Sequence, residues 1–150
     1  MNGATNIPAL IAAARAVSAN AHAPYSRFGV GAAVLLADGE VVTGCNFENA
    51  STGLTLCAET VALASVNAAG KVKQVRAIAV AGGPLHGGTI SGTALVYPCG
   101  RCRQVIHEVA QLSDRDIPIH CAAAEGDAYE THAISALLPH AFGPKDLGFA

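Results

Sequence analysis

The chain has 150 residues, 51% of them apolar and 13% charged, with a formal charge of −2. That length suits one domain with a real core, expected here over residues 1–150. Lys and Arg are scattered with no basic stripe, which excludes polymeric nucleic acid as the expected partner and leaves a small neutral molecule. So low a charge density also leaves apolar surface that subunit contacts would cover.

In chain order, Ile7 to Ala19 places Ile7, Leu10, Ile11 and Ala14 on one face, which predicts an amphipathic helix ended before Pro24. Val30 to Ala37 and Glu40 to Cys45 read as strands around Asp38-Gly39, a dipeptide suited to the positive φ angles of a tight hairpin turn. Cys57 to Ala69 carries Ala and Val at helical spacing and stops at Gly70, a left-handed cap. Val75 to Ala81 reads as a strand ended by Gly82-Gly83-Pro84, and Ala94 to Tyr97 as another leading into Pro98. From Gly100 the spacing of Cys102, Val105, Ile106 and Val109 is helical; Ile117 to Ala122 then reads as a strand and Thr131 to Leu138 as a short helix. Two strand-then-helix passages favour crossover connections and a partly parallel α/β sheet.

The chemistry gathers at Cys57-Ala58-Glu59 and Pro98-Cys99-Gly100-Arg101-Cys102. Three thiols suit a Zn²⁺ with one position open, the arrangement of a catalytic rather than a structural site. Both clusters open predicted helices, whose unpaired N–H groups and positive dipole end favour thiolate. Glu59, on the first turn after Cys57, is placed to carry protons beside the open position. A zinc site with a proton-carrying glutamate suits attack on an electron-poor ring carbon bearing an amine, as in base deamination. The other two cysteines, Cys45 and Cys121, stand alone in apolar sequence, and an odd total of five fits a reducing compartment. The Ala-rich start lacks a basic n-region and is interrupted by Arg15, so a cytoplasmic location is expected. No run approaches the ~18 apolar residues needed to cross a bilayer. None of the six His residues stands at ligand spacing from the cysteines; His107 falls within a predicted helix, the others at loops or element ends, and Asp127 and Glu130 read as solvated loop charges.

Together with Pro24-Tyr25-Ser26-Arg27-Phe28-Gly29-Val30-Gly31-Ala32-Ala33, Gly44-Cys45-Asn46-Phe47-Glu48-Asn49-Ala50 and the C-terminal Leu138 to Leu147, these clusters resemble the cytidine deaminases of the small, homotetrameric, three-cysteine kind. The resemblance runs over nearly the whole chain. It implies a three-layer α/β/α fold with a central mixed five-stranded sheet, and hydrolytic conversion of cytidine and deoxycytidine to uridine and deoxyuridine in pyrimidine salvage. It assigns one zinc per subunit to Cys57, Cys99 and Cys102, and proton transfer to Glu59. It also gives the ribose hydroxyls to Asn46 and Glu48, the face of the pyrimidine to Phe28, the base edge to the backbone amide of Ala58, and a neighbouring subunit's pocket to Phe142. Taken alone, Asn46 and Glu48 would read as turn or solvated strand residues and Phe28 as core.

Two positions depart from the pattern. Thr60 stands where an Arg often offsets the thiolate charge, leaving Arg101 or Arg103 to compensate, and Thr52 stands where a Tyr commonly meets the sugar in the adjacent subunit. These departures keep two alternatives open: a deaminase of a modified aminopyrimidine nucleoside such as blasticidin S, and a non-catalytic zinc-binding subunit.

Overall fold

The computed structural model describes residues 4–149. Helix α1, Ile7–Val17, starts at Asn6, whose side-chain oxygen accepts a hydrogen bond from the Ala9 N–H at 3.0 Å, while Pro8 occupies the first turn where its missing donor is not needed. Its buried residues Leu10, Ile11 and Ala14 pack on a sheet face made of Ala33, Ala77, Ala79, Ala81 and Ala122. Much of the alanine content therefore serves a close helix-to-sheet approach.

Strands β1 (Phe28–Leu36) and β2 (Val41–Cys45) form the expected hairpin, paired Ala33 to Thr43. The turn differs from expectation: only Gly39 has positive φ (87°), and the Leu36 N–H donates to the Glu40 carbonyl at 2.9 Å. Three residues, not two, form the loop, with glycine supplying the left-handed position. Helix α2 (Ala58–Ala68) ends as expected, with Gly70 left-handed (φ 73°) and the Lys71 and Gly70 amides donating back to Val66 and Asn67 carbonyls at 3.0 and 2.9 Å.

Three further expectations need correction. Strand β3 spans Val75–His86 and is not ended by Gly82-Gly83-Pro84, because β1 pairs along that stretch as well, Val30 to Gly82 through Phe28 to Pro84. It then folds back on the short β4 (Thr89–Ile90). Ala94 to Tyr97 is extended but forms no strand: its backbone link to the sheet is the Val96 N–H donating to the Ala122 carbonyl at 3.2 Å. The strand it meets, β5 (Pro118–Ala123), already has β3 parallel on one side and β6 antiparallel on the other. That β6, Tyr129–Ala133, takes the first half of the segment expected to be helical; only α4, Ile134–Leu137, turns. Tertiary pairing has overridden local spacing.

Between β4 and β5, helix α3 (Gly100–Leu112) supplies the crossover to the parallel strand. The sheet order is β2-β1-β3-β5-β6, with β4 attached to β3. Helices α2 and α3 cover one face through Leu63, Val66, Ile106 and Val109 against Val34, Ile78, Val80 and Ile119, and α1 covers the other. The result is the expected three-layer α/β/α fold, with a sixth, two-residue strand added to the mixed sheet. Among the described residues, no helix is long and apolar enough to cross a membrane.

Candidate active site

Helices α2 and α3 begin side by side, and each is capped by a cysteine: Cys57 precedes α2, Cys99 precedes α3, and Cys102 sits in the first turn of α3. Gly44 of β2 fixes the first of these helices. A Cβ there would lie 2.6 Å from the Ala62 nitrogen and 2.8 Å from the Ala58 carbonyl oxygen, so glycine is what lets β2 lie directly against the opening of α2.

The sulfurs of Cys57, Cys99 and Cys102 all lie within 4.8 Å of one another, with Cys57 and Cys99 at 3.7 Å. Thiolates held at ~2.3 Å around a tetrahedral zinc stand roughly 3.8 Å apart, so the donor set fits one Zn²⁺ with a fourth position left over. Among the described residues this is the one such group of potential ligands, and no His joins it. The Cys57 thiol is lowered to about 6, chiefly by a hydrogen bond from Cys102 and against the effect of burial, with Cys99 and the Arg101 charge assisting. Cys102 is pushed up because it donates that bond and is buried. The arrangement therefore favours the thiolate form of Cys57.

Glu59 is only 4% exposed, and burial pushes its carboxyl above the usual range, with the Cys57 charge adding to the effect. A carboxyl so placed holds its proton more tightly than an exposed one, which suits it to taking up and releasing protons in a reaction. Thr60 follows on the same turn, its hydroxyl 3.6 Å from the Cys102 sulfur. Neither nearby arginine bonds a sulfur: Arg103 donates to the Pro98 and Leu137 carbonyls at 2.8 and 2.9 Å, and Arg101 to the Thr55 carbonyl at 3.1 Å. The groups that act on the thiols from this side are thus the Thr60 hydroxyl on Cys102 and the Arg101 charge on Cys57.

An open cleft of about 240 Å³ leads to the thiols. Phe28, Val30 and Asn46 line it from one side of β3, and Val96 and Tyr97 from the other; Cys57, Ala58, Glu59 and Cys99 close its end. Phe28 is 38% exposed there rather than buried in the core. Asn46 knits the first wall together: its side-chain oxygen accepts from the Val30 N–H and its amide donates to the Phe28 carbonyl, both at 2.9 Å. Glu48 lies behind this wall and does not line the cleft. It accepts from the Tyr25 and Ser26 amides at 2.9 and 3.3 Å, and the Ser26 side chain is first among the groups holding its carboxyl below the usual range. Between these anchors Arg27 takes a left-handed φ of 55°, an uncommon conformation for a non-glycine residue, and turns the chain into Phe28. Phe142 lies away from the cleft of its own chain and is 63% exposed, its carbonyl accepting from Gln104 at 2.8 Å.

Sequence reasoning missed Tyr97 and read its partner Glu130 as a solvated loop charge, whereas the Glu130 carboxylate accepts from the Tyr97 hydroxyl at 2.8 Å. Glu130 is on β6 and is no free loop charge. The available signal was position: Tyr97 precedes Pro98, which favours extended backbone, and stands two residues before Cys99. His120 also differs from expectation, since it lies within β5, 3% exposed, with Nδ1 2.8 Å from the Thr131 hydroxyl.

Residues 5–115 match the family model described as the cytidine and deoxycytidylate deaminase zinc-binding region. A cytidine deaminase of Sporosarcina psychrophila is 37% identical over 148 residues, 97% of each chain. Another, from Halalkalibacterium halodurans, is 44% identical over 128 residues, covering 85% of this chain and 86% of that protein. The fold matches the crystal structure of cytidine deaminase from Burkholderia pseudomallei with a TM-score of 0.78 and 41% identity, over 93% of this chain and 100% of that one. By its three-thiol site, its three-layer fold and these relatives, the chain belongs to the cytidine and deoxycytidylate deaminase zinc-binding family.

Proposed function

We propose that residues 1–150 form a single catalytic domain that hydrolyses the exocyclic amine of cytidine and deoxycytidine, consuming water and releasing ammonia with uridine or deoxyuridine. The observation that carries this reading is the buried Glu59 beside a three-sulfur group that fits one zinc, at the end of a cleft faced by Phe28. Cys57, Cys99 and Cys102 would hold the metal, whose Lewis acidity when bound acidifies a water at its open position. Glu59 takes one proton of the attacking water and hands it to the ring nitrogen beside the attacked carbon. It then takes the second from the hydroxyl now on that carbon and hands it to the amine as the C–N bond breaks and the carbonyl forms. Burial, by raising its affinity for the proton, suits it to both transfers. Phe28 offers an aromatic face to the planar base, and Asn46 and the Ala58 amide offer polar groups to sugar and base edge. Glu48, outside the cleft of the single chain, holds the Tyr25–Ser26 turn, and the sugar-hydroxyl role expected of it would require its carboxylate to leave those amides for the cleft.

At about 240 Å³ the cleft of one chain is smaller than usual ligand pockets of roughly 300–1,000 Å³. Exposed Phe47, Leu54 and Phe142, at 54%, 65% and 63%, supply apolar surface for neighbours that would complete it. A cytoplasmic homotetramer with Phe142 entering an adjacent pocket accounts for both, and the scattered charge leaves polymeric nucleic acid without a binding stripe. The test is ammonia release by purified, zinc-quantified protein from cytidine, deoxycytidine, their monophosphates, blasticidin S and adenosine. Fast turnover of the first two supports the reading. Slow cytidine with fast blasticidin S would transfer it to a modified nucleoside, and no turnover of any, at one zinc per chain, would leave a zinc-binding subunit.

A further inference from the structure

The two sides of the cleft are built differently. On one side Phe28 and Val30 are held by the β1–β3 ladder, and Asn46, just past β2, by backbone and side-chain bonds to Val30 and Phe28. On the other, the extended segment carrying Tyr97 has no ladder of its own. Three bonds to three different elements hold it: the Val96 N–H to the Ala122 carbonyl at 3.2 Å, the Tyr97 hydroxyl to Glu130 at 2.8 Å, and the Pro98 carbonyl accepting from Arg103 at 2.8 Å. Of these, only the Tyr97 bond fixes a side chain that lines the cleft. Glu130 is itself held, because His132, two residues along the same face of β6, places Nε2 2.9 Å from the same carboxylate oxygen. The His132 ring also lies 5.9 Å from the Tyr97 ring at a 57° tilt.

From this geometry we infer that Glu130 and His132 of β6 are positioning residues for Tyr97, and that the clamped Tyr97 ring sets the width of the cleft opposite Phe28 and hence its fit to a nucleoside. The inference rests on the nucleoside reading of the cleft given above. An edge strand on the far side of the sheet from β2 thereby takes part in substrate selection through a residue two positions before Cys99. Tyr97, Glu130 and His132 are all partly exposed, so water competes for these bonds and the expected effect is moderate.

The experiment compares the zinc-loaded wild type with Tyr97→Phe, Glu130→Ala, Glu130→Gln and the Tyr97→Phe/Glu130→Ala double variant. Uridine affinity is measured by calorimetry, kcat and KM for cytidine by ammonia release, and zinc content and melting temperature alongside. Tyr97→Phe and Glu130→Ala should each weaken uridine binding and raise KM about fivefold, with kcat within about twofold and zinc unchanged. The double variant should be no worse than either single one, since all break the same bond. Glu130→Gln, which keeps an acceptor, should recover most of the loss. Unchanged uridine affinity in Tyr97→Phe, additive losses in the double variant, or parallel falls in kcat and zinc content would overturn the inference while leaving the deaminase reading intact. A wild type that neither binds uridine nor deaminates cytidine would remove the deaminase reading and this inference with it.

Discussion

The two walls of the cleft contrast a motif-built surface with a tethered one. The Phe28–Asn46 wall belongs to paired strands: Asn46 spans from the end of β2 to two backbone groups of β1, and Gly44 seats β2 against α2. The Val96–Tyr97 wall belongs to a stretch outside the sheet, held at isolated points by β5, β6 and α3. Perturbing the first wall should disturb fold and binding together; perturbing the second should alter substrate fit and leave the fold alone. What joins the walls is the thiol group, with Cys57 arriving from one side and Cys99 from the other.

Breaking that junction should have the largest effect. Cys99→Ala should reduce zinc from one per chain to near none and turnover by more than about 10³-fold, measured by metal analysis and ammonia release; full zinc and activity would remove Cys99 from the ligand set. Next in size, Asn46→Ala strips two backbone partners within the first wall and should cost roughly 2 kcal/mol of stability while raising KM at least tenfold. If its melting temperature stayed at the wild-type value while KM rose alone, the two walls would not differ in kind as described.

Smaller effects sharpen the contrast at its join. Thr60→Val removes the hydroxyl 3.6 Å from Cys102 and should weaken zinc affinity about tenfold in a chelator competition. No change would mean that the Arg101 charge is sufficient by itself. The smallest is a pH effect from Glu48, whose carboxyl is held below its usual range by Ser26 and the Tyr25 and Ser26 amides. The stabilisation it gives is present above the unfolded pKa of about 4.3 and fades as the pH falls through the lower folded value. The difference in melting temperature between wild type and Glu48→Gln should therefore be largest near neutrality and shrink below about pH 4. A difference that grew on acidification would reverse the sign assigned to that site.

The same contrast separates what could be read in the sequence from what could not. Helices α1, α2 and α3 announce themselves through spacing, caps and, for α2, Gly70, and the two cysteine clusters open helices because a thiol at such a position gains from the dipole. The hairpin and the first wall sit in contiguous motifs, so they were legible too. The second wall depends on which distant strand lies beside it. Nothing local says that Thr131 to Ala133 would be recruited as the edge partner of β5, yet that pairing is what brings Glu130 to Tyr97 and turns an apparent loop charge into an anchor. Likewise β3 runs on through Gly82-Gly83-Pro84 because β1 is long enough to pair with it, and Ala94 to Tyr97 falls short of a strand because both edges of β5 are occupied.

The central claim is that a buried carboxyl beside a three-thiol zinc site moves the protons of a hydrolytic deamination. Glu59→Gln tests it most directly, with zinc content and cytidine-dependent ammonia release measured on the same preparation. The account predicts one zinc per chain, unchanged uridine affinity, and a fall in kcat of about 10²–10⁴-fold. A variant that keeps its zinc and still releases ammonia at the wild-type rate would contradict it.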